Sequence, residues 1–185
     1  MNTLIILSGL PGSGKTTFAK RFAAEVISSD GIRKKLFGDE RILYRDDLIE
    51  LLPQQQRELA LHGTEEDKIE IWSQYVFSVV YRTVGTALQM GKSVVIDATN
   101  LTRGVRSGII RQFEGLYDAA DIYYFDLPVE LVIERNRMRD RQVPESVIWQ
   151  MYDNFEIPDY SEGADAIYET DGDHVNRIVC PPNGR

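Results

Sequence analysis

Short apolar runs alternate along the chain with longer stretches in which apolar residues return every three or four positions. The runs are Leu4-Ile5-Ile6-Leu7, Val26-Ile27-Ser28, Val94-Val95-Ile96-Asp97, Ile122-Tyr123-Tyr124-Phe125-Asp126 and Ala166-Ile167-Tyr168-Glu169. Each is short enough for a strand, and their near-continuous apolar character fits strands covered on both faces. Helical spacing predicts helices over 17–24, 31–37, 68–90, 102–115, 129–139 and 144–154. Trp72, Tyr75, Phe77, Val80 and Tyr81 read as a core-facing stripe, and Trp149, Met151 and Tyr152 read the same way. Thr102 is placed to cap one helix, Gly91 to end another, and Pro128 and Pro144 to stand at first turns. Strands alternating with helices predict an α/β fold, a doubly wound parallel sheet with helices on both faces. Residues 39–66 are the least regular part and read as a helical insertion or a surface elaboration.

The length of 185 residues fits a single domain with a substantial core. No apolar run approaches the roughly 20 residues of a membrane span, and the first residues lack the basic flank and cleavage site of an export signal. A cytoplasmic location with no membrane partner is the default expectation. Cys180, the one cysteine, reads as an inert thiol, while His62 and His174 lack companions at metal-ligand spacing. The net charge of −8 argues against general binding of polyanions. Charge is nevertheless uneven: 142–176 holds no Lys or Arg, whereas Arg135-Asn136-Arg137-Met138-Arg139-Asp140-Arg141 is strongly basic.

The first apolar run leads into Gly9-Leu10-Pro11-Gly12-Ser13-Gly14-Lys15-Thr16, a complete G-x-x-x-x-G-K-[ST] loop, followed by Thr17. Glycines let backbone N–H groups converge on phosphate oxygens, and the helix that follows adds favourable partial charge. Lys15 is expected to reach the β- and γ-phosphates and the Thr16 hydroxyl to ligate Mg²⁺. A dinucleotide fingerprint at Gly12-Ser13-Gly14 is the weaker reading, because its third glycine would fall on Thr17.

Ligands of a parallel α/β sheet gather beyond the carboxyl ends of its strands. That rule makes Asp30, just past the second run, a candidate base for an acceptor hydroxyl, with N-capping as its ordinary alternative. Arg33, one turn on, is a candidate to hold an anionic group of the acceptor. Asp97 ends a buried strand as a candidate magnesium-linked carboxylate, acting directly or through water, and Thr99 and Asn100 are candidates to orient substrate or the phosphate loop. The arginine run needs an anion to neutralise it, and transferring phosphate is one. Arg135 and Arg139, four apart, are read as sharing a helix face, with Arg137 turned elsewhere and 135–143 forming a lid.

Taken in order, Gly9 to Thr17, Asp30 with Arg33, Asp97-Ala98-Thr99-Asn100-Leu101-Thr102 followed by Arg106, and Arg135 to Arg139 before Val143-Pro144 resemble the polynucleotide 5′-hydroxyl kinases of phage and bacterial type, within a wider group of P-loop kinases that includes zeta toxins. The resemblance implies ATP and Mg²⁺ as cofactors and a 5′-hydroxyl end of RNA or DNA as partner. It implies Gly9, Pro11, Gly12, Ser13, Gly14, Lys15, Thr16 and Thr17 around the donor phosphates, with Arg139 over them and Arg135 in support. Lys15, Asp30 and Arg139 become the catalytic set, Thr16 and Asp97 the metal set. Arg33, Thr99, Asn100 and Arg106 become the acceptor-binding set. Gly31 stands where relatives often carry a second acid, and 39–66 exceeds the compact connection of relatives. A small-molecule hydroxyl acceptor and a nucleotide-binding regulator without kinase activity remain the alternatives.

Overall fold

The computed structural model describes residues 1–179, so Cys180 lies outside the described residues. The chain divides into two compact units, one of Met1–Val26 with the chain from Gly85 onward, the other Ile27–Val84.

The strands form a sheet whose order is β2-β3-β1-β4-β5-β6. Its strands are β1 (Thr3–Ser8), β2 (Glu25–Ser28), β3 (Val94–Asp97), β4 (Ala119–Phe125), β5 (Ala166–Thr170) and β6 (Val175–Ile178). β1 pairs in parallel with β3 and β4, and β4 with β5, while β6 returns antiparallel. The sheet is therefore mixed and mostly parallel, and the final strand departs from the all-parallel expectation. Asp171-Gly172 supplies the turn that lets β5 fold directly back onto β6. Leu4, Ile6, Leu7, Val94, Val95, Ile96 and Ile122 are fully buried, which explains why these strands read as unbroken apolar runs.

The helices are α1 (Lys15–Ala19), α2 (Ser29–Phe37), α3 (Gln54–His62), α4 (Glu65–Gln89), α5 (Arg103–Gln112), α6 (Val129–Arg137) and α7 (Glu145–Asp153). α1 has only 5 residues, shorter than the helix expected over 17–24. Phe18 and Ala19 on α1 pack with Ile5, Leu7, Val95 and Phe125, and Phe22 joins this cluster after the helix has ended. Thr102 caps α5 by accepting the Val105 N–H at 3.3 Å, as the sequence predicts. Pro128 and Pro144 stand one position earlier than expected, at the N-caps of α6 and α7.

The second unit carries α2, a 3₁₀ helix at Asp46–Leu51, α3 and most of α4. Its interior centres on Trp72, which meets Phe37 edge-on at 5.4 Å. The buried stripe of α4 here is Trp72, Val76, Val80 and Val84, whereas Tyr75, Phe77 and Tyr81 are only half-buried. The spacing expectation found the right helix and misjudged which aromatics face inward. Residues 39–66 carry several local ion pairs, Arg41 with Asp39, Arg45 with Asp47 and Arg57 with Glu50, and bury Leu52 and Ala60.

Candidate active site

β1 ends at Ser8, and the chain turns through 9–14 into α1. Within this turn Ser13 N–H donates to Leu10 O at 3.2 Å. Gly12 and Gly14 have φ of 89° and 98°, a region unfavourable to residues with a Cβ. At Gly12 a Cβ would also lie 2.9 Å from the Val132 carbonyl of α6, so the loop is pressed against that helix. Pro11 is half-buried and Ser13 buried, while Thr16 and Thr17 are exposed on α1.

Lys15 is largely buried, and its ammonium is held by Gly9 O at 2.8 Å, Leu10 O at 2.6 Å and Ser13 Oγ at 3.2 Å. The charge is thus kept within the curl of the loop, where β- and γ-phosphates would meet it. Thr16 Oγ1 donates to Asp97 Oδ2 at 2.8 Å, joining the start of α1 to the end of β3. A hydroxyl and a carboxylate are hard oxygen donors of the kind Mg²⁺ takes, usually with waters and substrate phosphates completing its shell. That donor set fits the ion. No cluster of three or more His, Cys, Asp or Glu suited to a metal occurs among the described residues.

The turn after β3 is devoted to holding the phosphate loop. Thr99 O accepts the Gly9 N–H at 2.9 Å. Asn100 has a positive φ of 42°, and its Nδ2 donates to Leu7 O at 2.8 Å. Of the two roles open to this pair, orienting the loop fits, and direct acceptor binding by Asn100 does not, because its side chain is buried against β1.

Arg106 also departs from the acceptor-binding role that the resemblance implies. It is fully buried, and its guanidinium makes an ion pair with Glu162 at 2.8 Å. It also donates to Ser8 Oγ, Asn100 O, Leu101 O and Glu156 O, at 3.2, 3.0, 2.8 and 2.8 Å. A guanidinium has five N–H donors, and these acceptors employ all of them. Ser8 and Glu162 were missed by sequence reasoning. Ser8 had one signal, a hydroxyl closing an apolar run; Glu162 had none within its acidic surroundings.

α6 ends at Arg137, so Arg139 stands in the turn beyond it and does not share a helical face with Arg135. Asn136 makes the turn compact: its Nδ2 donates to Val143 O at 2.8 Å, and its Oδ1 accepts the Val143 N–H at 3.0 Å. Arg137 pairs with Glu145 at 2.7 Å on the surface, in keeping with a position turned elsewhere. Glu145 raises the Arg137 pKa by hydrogen bonding to it. Arg135 and Arg139 are half-buried. Gly12 also approaches Asn136 N, at 3.4 Å from where its Cβ would be, so the phosphate loop packs against the last turn of α6.

In the second unit, α2 is capped by Ser28, whose Oγ accepts the Gly31 N–H at 2.9 Å. Capping therefore does not occupy Asp30, which is 44 % exposed and accepts from Arg33 Nη1 at 3.2 Å.

Residues 4–158 match the family model described as AAA domain, AAA_33. A curated relative, the L-seryl-tRNA(Sec) kinase of Methanococcus maripaludis, is 28 % identical over 155 residues, 84 % of this chain and 53 % of that protein. The chain thus spans about half the length of this curated relative. Among solved structures, that of the PezAT chromosomal toxin–antitoxin system of Streptococcus pneumoniae has a TM-score of 0.61 at 17 % identity, covering 97 % of this chain and 70 % of that one. A gluconokinase from Sinorhizobium meliloti gives 0.52 at 16 %, covering 90 % and 82 %. The fold is that of the P-loop kinases. Among the described residues, no helix is long and apolar enough to cross a membrane.

Proposed function

The chain belongs to the AAA domain family AAA_33, and from that membership we propose that it is an ATP- and Mg²⁺-dependent kinase acting on a hydroxyl at the 5′ end of RNA or DNA. The observation that carries the kinase reading is the contact of Thr16 with Asp97 beside the loop-held Lys15. It joins a phosphate-binding cation to a pair of oxygens suited to magnesium. Thr16 and Asp97 would hold Mg²⁺, which would offset the charge of the transferring group. Lys15 binds the β- and γ-phosphates, and Arg139, supported by Arg135, offsets charge from the turn after α6. Asp30 takes the proton of the acceptor hydroxyl, whose oxygen bonds to the γ-phosphorus as the bond to ADP breaks. Arg33 holds the acceptor's neighbouring phosphate, with Thr99 serving through its carbonyl on the loop. The nucleic-acid acceptor draws support from the ordered motifs and from a relative named for a tRNA-linked seryl group.

A small-molecule acceptor is the second reading, favoured by the net charge of −8 and by the commitment of Arg45, Arg57 and Lys68 to neighbouring carboxylates. The deciding experiment supplies γ-labelled ATP and Mg²⁺ with 5′-hydroxyl oligonucleotides, their 5′-phosphate counterparts, and small polyols or nucleosides. Label entering only the 5′-hydroxyl oligonucleotides is expected. Label entering only small acceptors moves the acceptor to the second reading, and transfer to none favours a nucleotide-binding regulator. Asp30→Asn should lower kcat at least about tenfold while ATP binding persists; full turnover would remove Asp30 as the base.

A further inference from the structure

Arg106 and Glu162 form a buried ion pair with Nε and Nη2 forked onto the two carboxylate oxygens, each at 2.8 Å. Glu162 Oε1 also accepts the Asp159 N–H at 3.1 Å, within the capping box of a 3₁₀ helix at Tyr160–Glu162. The other side of the guanidinium grips Asn100 O, Leu101 O and Ser8 Oγ. Ser8 in turn donates to Asn100 O at 2.8 Å, and Thr99 O accepts the Gly9 N–H at 2.9 Å. Hydrogen bonds, joined through the Thr99–Asn100 backbone, therefore connect the segment after α7 to the first glycine of the phosphate loop.

Stability alone does not call for such a pair. Apolar side chains of similar volume often stabilise a buried site as well as an ion pair does, because they avoid desolvating two charges. What they do not supply is direction, a fork that fixes two carbonyls and a hydroxyl at once. We infer that Arg106 and Glu162 are positioning residues that hold the β3–α5 turn against the end of β1, and so set the geometry of the phosphate loop at Gly9. Glu162 lies past residue 158, beyond the stretch that matches the family. The effect on nucleotide rests on the kinase reading; the effect on the loop does not.

The test is a double variant, Arg106→Met with Glu162→Leu, which leaves neither charge buried alone. Thermal unfolding, backbone amide exchange and MgATP affinity are measured together on the full chain. Expected are a folded protein with a lowered melting temperature, because Ser8, Asn100, Leu101 and Glu156 each lose a donor, exchange at 9–16 faster by about tenfold with β3 still protected, and MgATP binding weaker by about tenfold. A folded double variant with unmodified loop exchange overturns the inference. Should it not fold, Glu162→Gln, which keeps the side-chain shape and one acceptor oxygen, is read by the same exchange measurement. Acceleration confined to the loop supports the clamp; equal acceleration in the loop and β3 signals general loosening and overturns it. Failure of the unmodified protein to bind nucleotide would sink only the kinase reading, because loop exchange still decides the clamp.

Discussion

Replacing Gly12 and Gly14 by alanine separates two costs that a phosphate loop ordinarily combines. Both glycines have positive φ, 89° and 98°, so a Cβ at either position strains the backbone by about 1–2 kcal/mol. The positions differ in what surrounds them. Around Gly14 nothing lies within 4 Å of the added carbon. At Gly12 it would meet Val132 O at 2.9 Å and Asn136 N at 3.4 Å, both backbone atoms of α6 that cannot swing aside as a side chain can. Relieving that overlap requires the loop and helix to separate, at about 1–3 kcal/mol more. Gly14→Ala should therefore cost about 1.5 kcal/mol and Gly12→Ala about 3.5 kcal/mol. For a chain of 185 residues these correspond to melting shifts of about 4 °C and about 10 °C. Separating the loop from α6 also shifts the backbone that holds Lys15, so Gly12→Ala should weaken MgATP binding well beyond Gly14→Ala, by about tenfold or more. Calorimetric unfolding and isothermal titration with MgATP measure both effects. Equal melting shifts for the two variants would refute the close approach of loop and helix as the deciding term.

Asp97→Asn should leave the chain folded but raise the Mg²⁺ concentration needed for half-maximal turnover by about tenfold, read from a magnesium titration at saturating ATP; an unchanged requirement removes Asp97 from the metal's surroundings. Thr102→Ala should destabilise the protein by about 1 kcal/mol in denaturant unfolding, through loss of the α5 cap, with ATP affinity kept. His174 is raised above 6.5 by its hydrogen bond to Asp171. Its small stabilising contribution is complete below pH 6.5 and is lost as pH rises through the raised value. The melting difference between the unmodified protein and His174→Asn should shrink over that window, and a difference that grows with pH would contradict the pairing.

The parts legible in the sequence are those whose physics is local. β1, β3, β4 and β5 announced themselves because strands covered on both faces have little room for polar residues. The phosphate loop was legible because its glycines and Lys15 occur at a spacing that few other needs impose. β6 was hidden because its residues are largely exposed and carry no apolar alternation; the Asp171-Gly172 turn was its one readable sign. Arg106 shows the limit most plainly. An arginine on the helix after the β3–α5 turn looks the same whether it faces solvent or Glu162, and their 56-residue separation leaves no pattern to find. Arg139 was misplaced for a related reason. Nothing in the spacing of the arginines records that Asn136 reaches across to Val143 and stops the helix short.

The antiparallel return of β6 bears on how the sheet meets other chains. β5 buries Ala166 and Ile167, and without a neighbour beyond it an apolar strand would offer its unpaired amides and carbonyls to any extended peptide. β6 occupies that flank with Val175, Asn176, Arg177 and Ile178, and pairs Arg177 with Tyr168. A short, largely solvated strand with a cation at its middle is a poor template for a further strand. The last hairpin thus covers the flank of β5 that would otherwise be open to strand pairing.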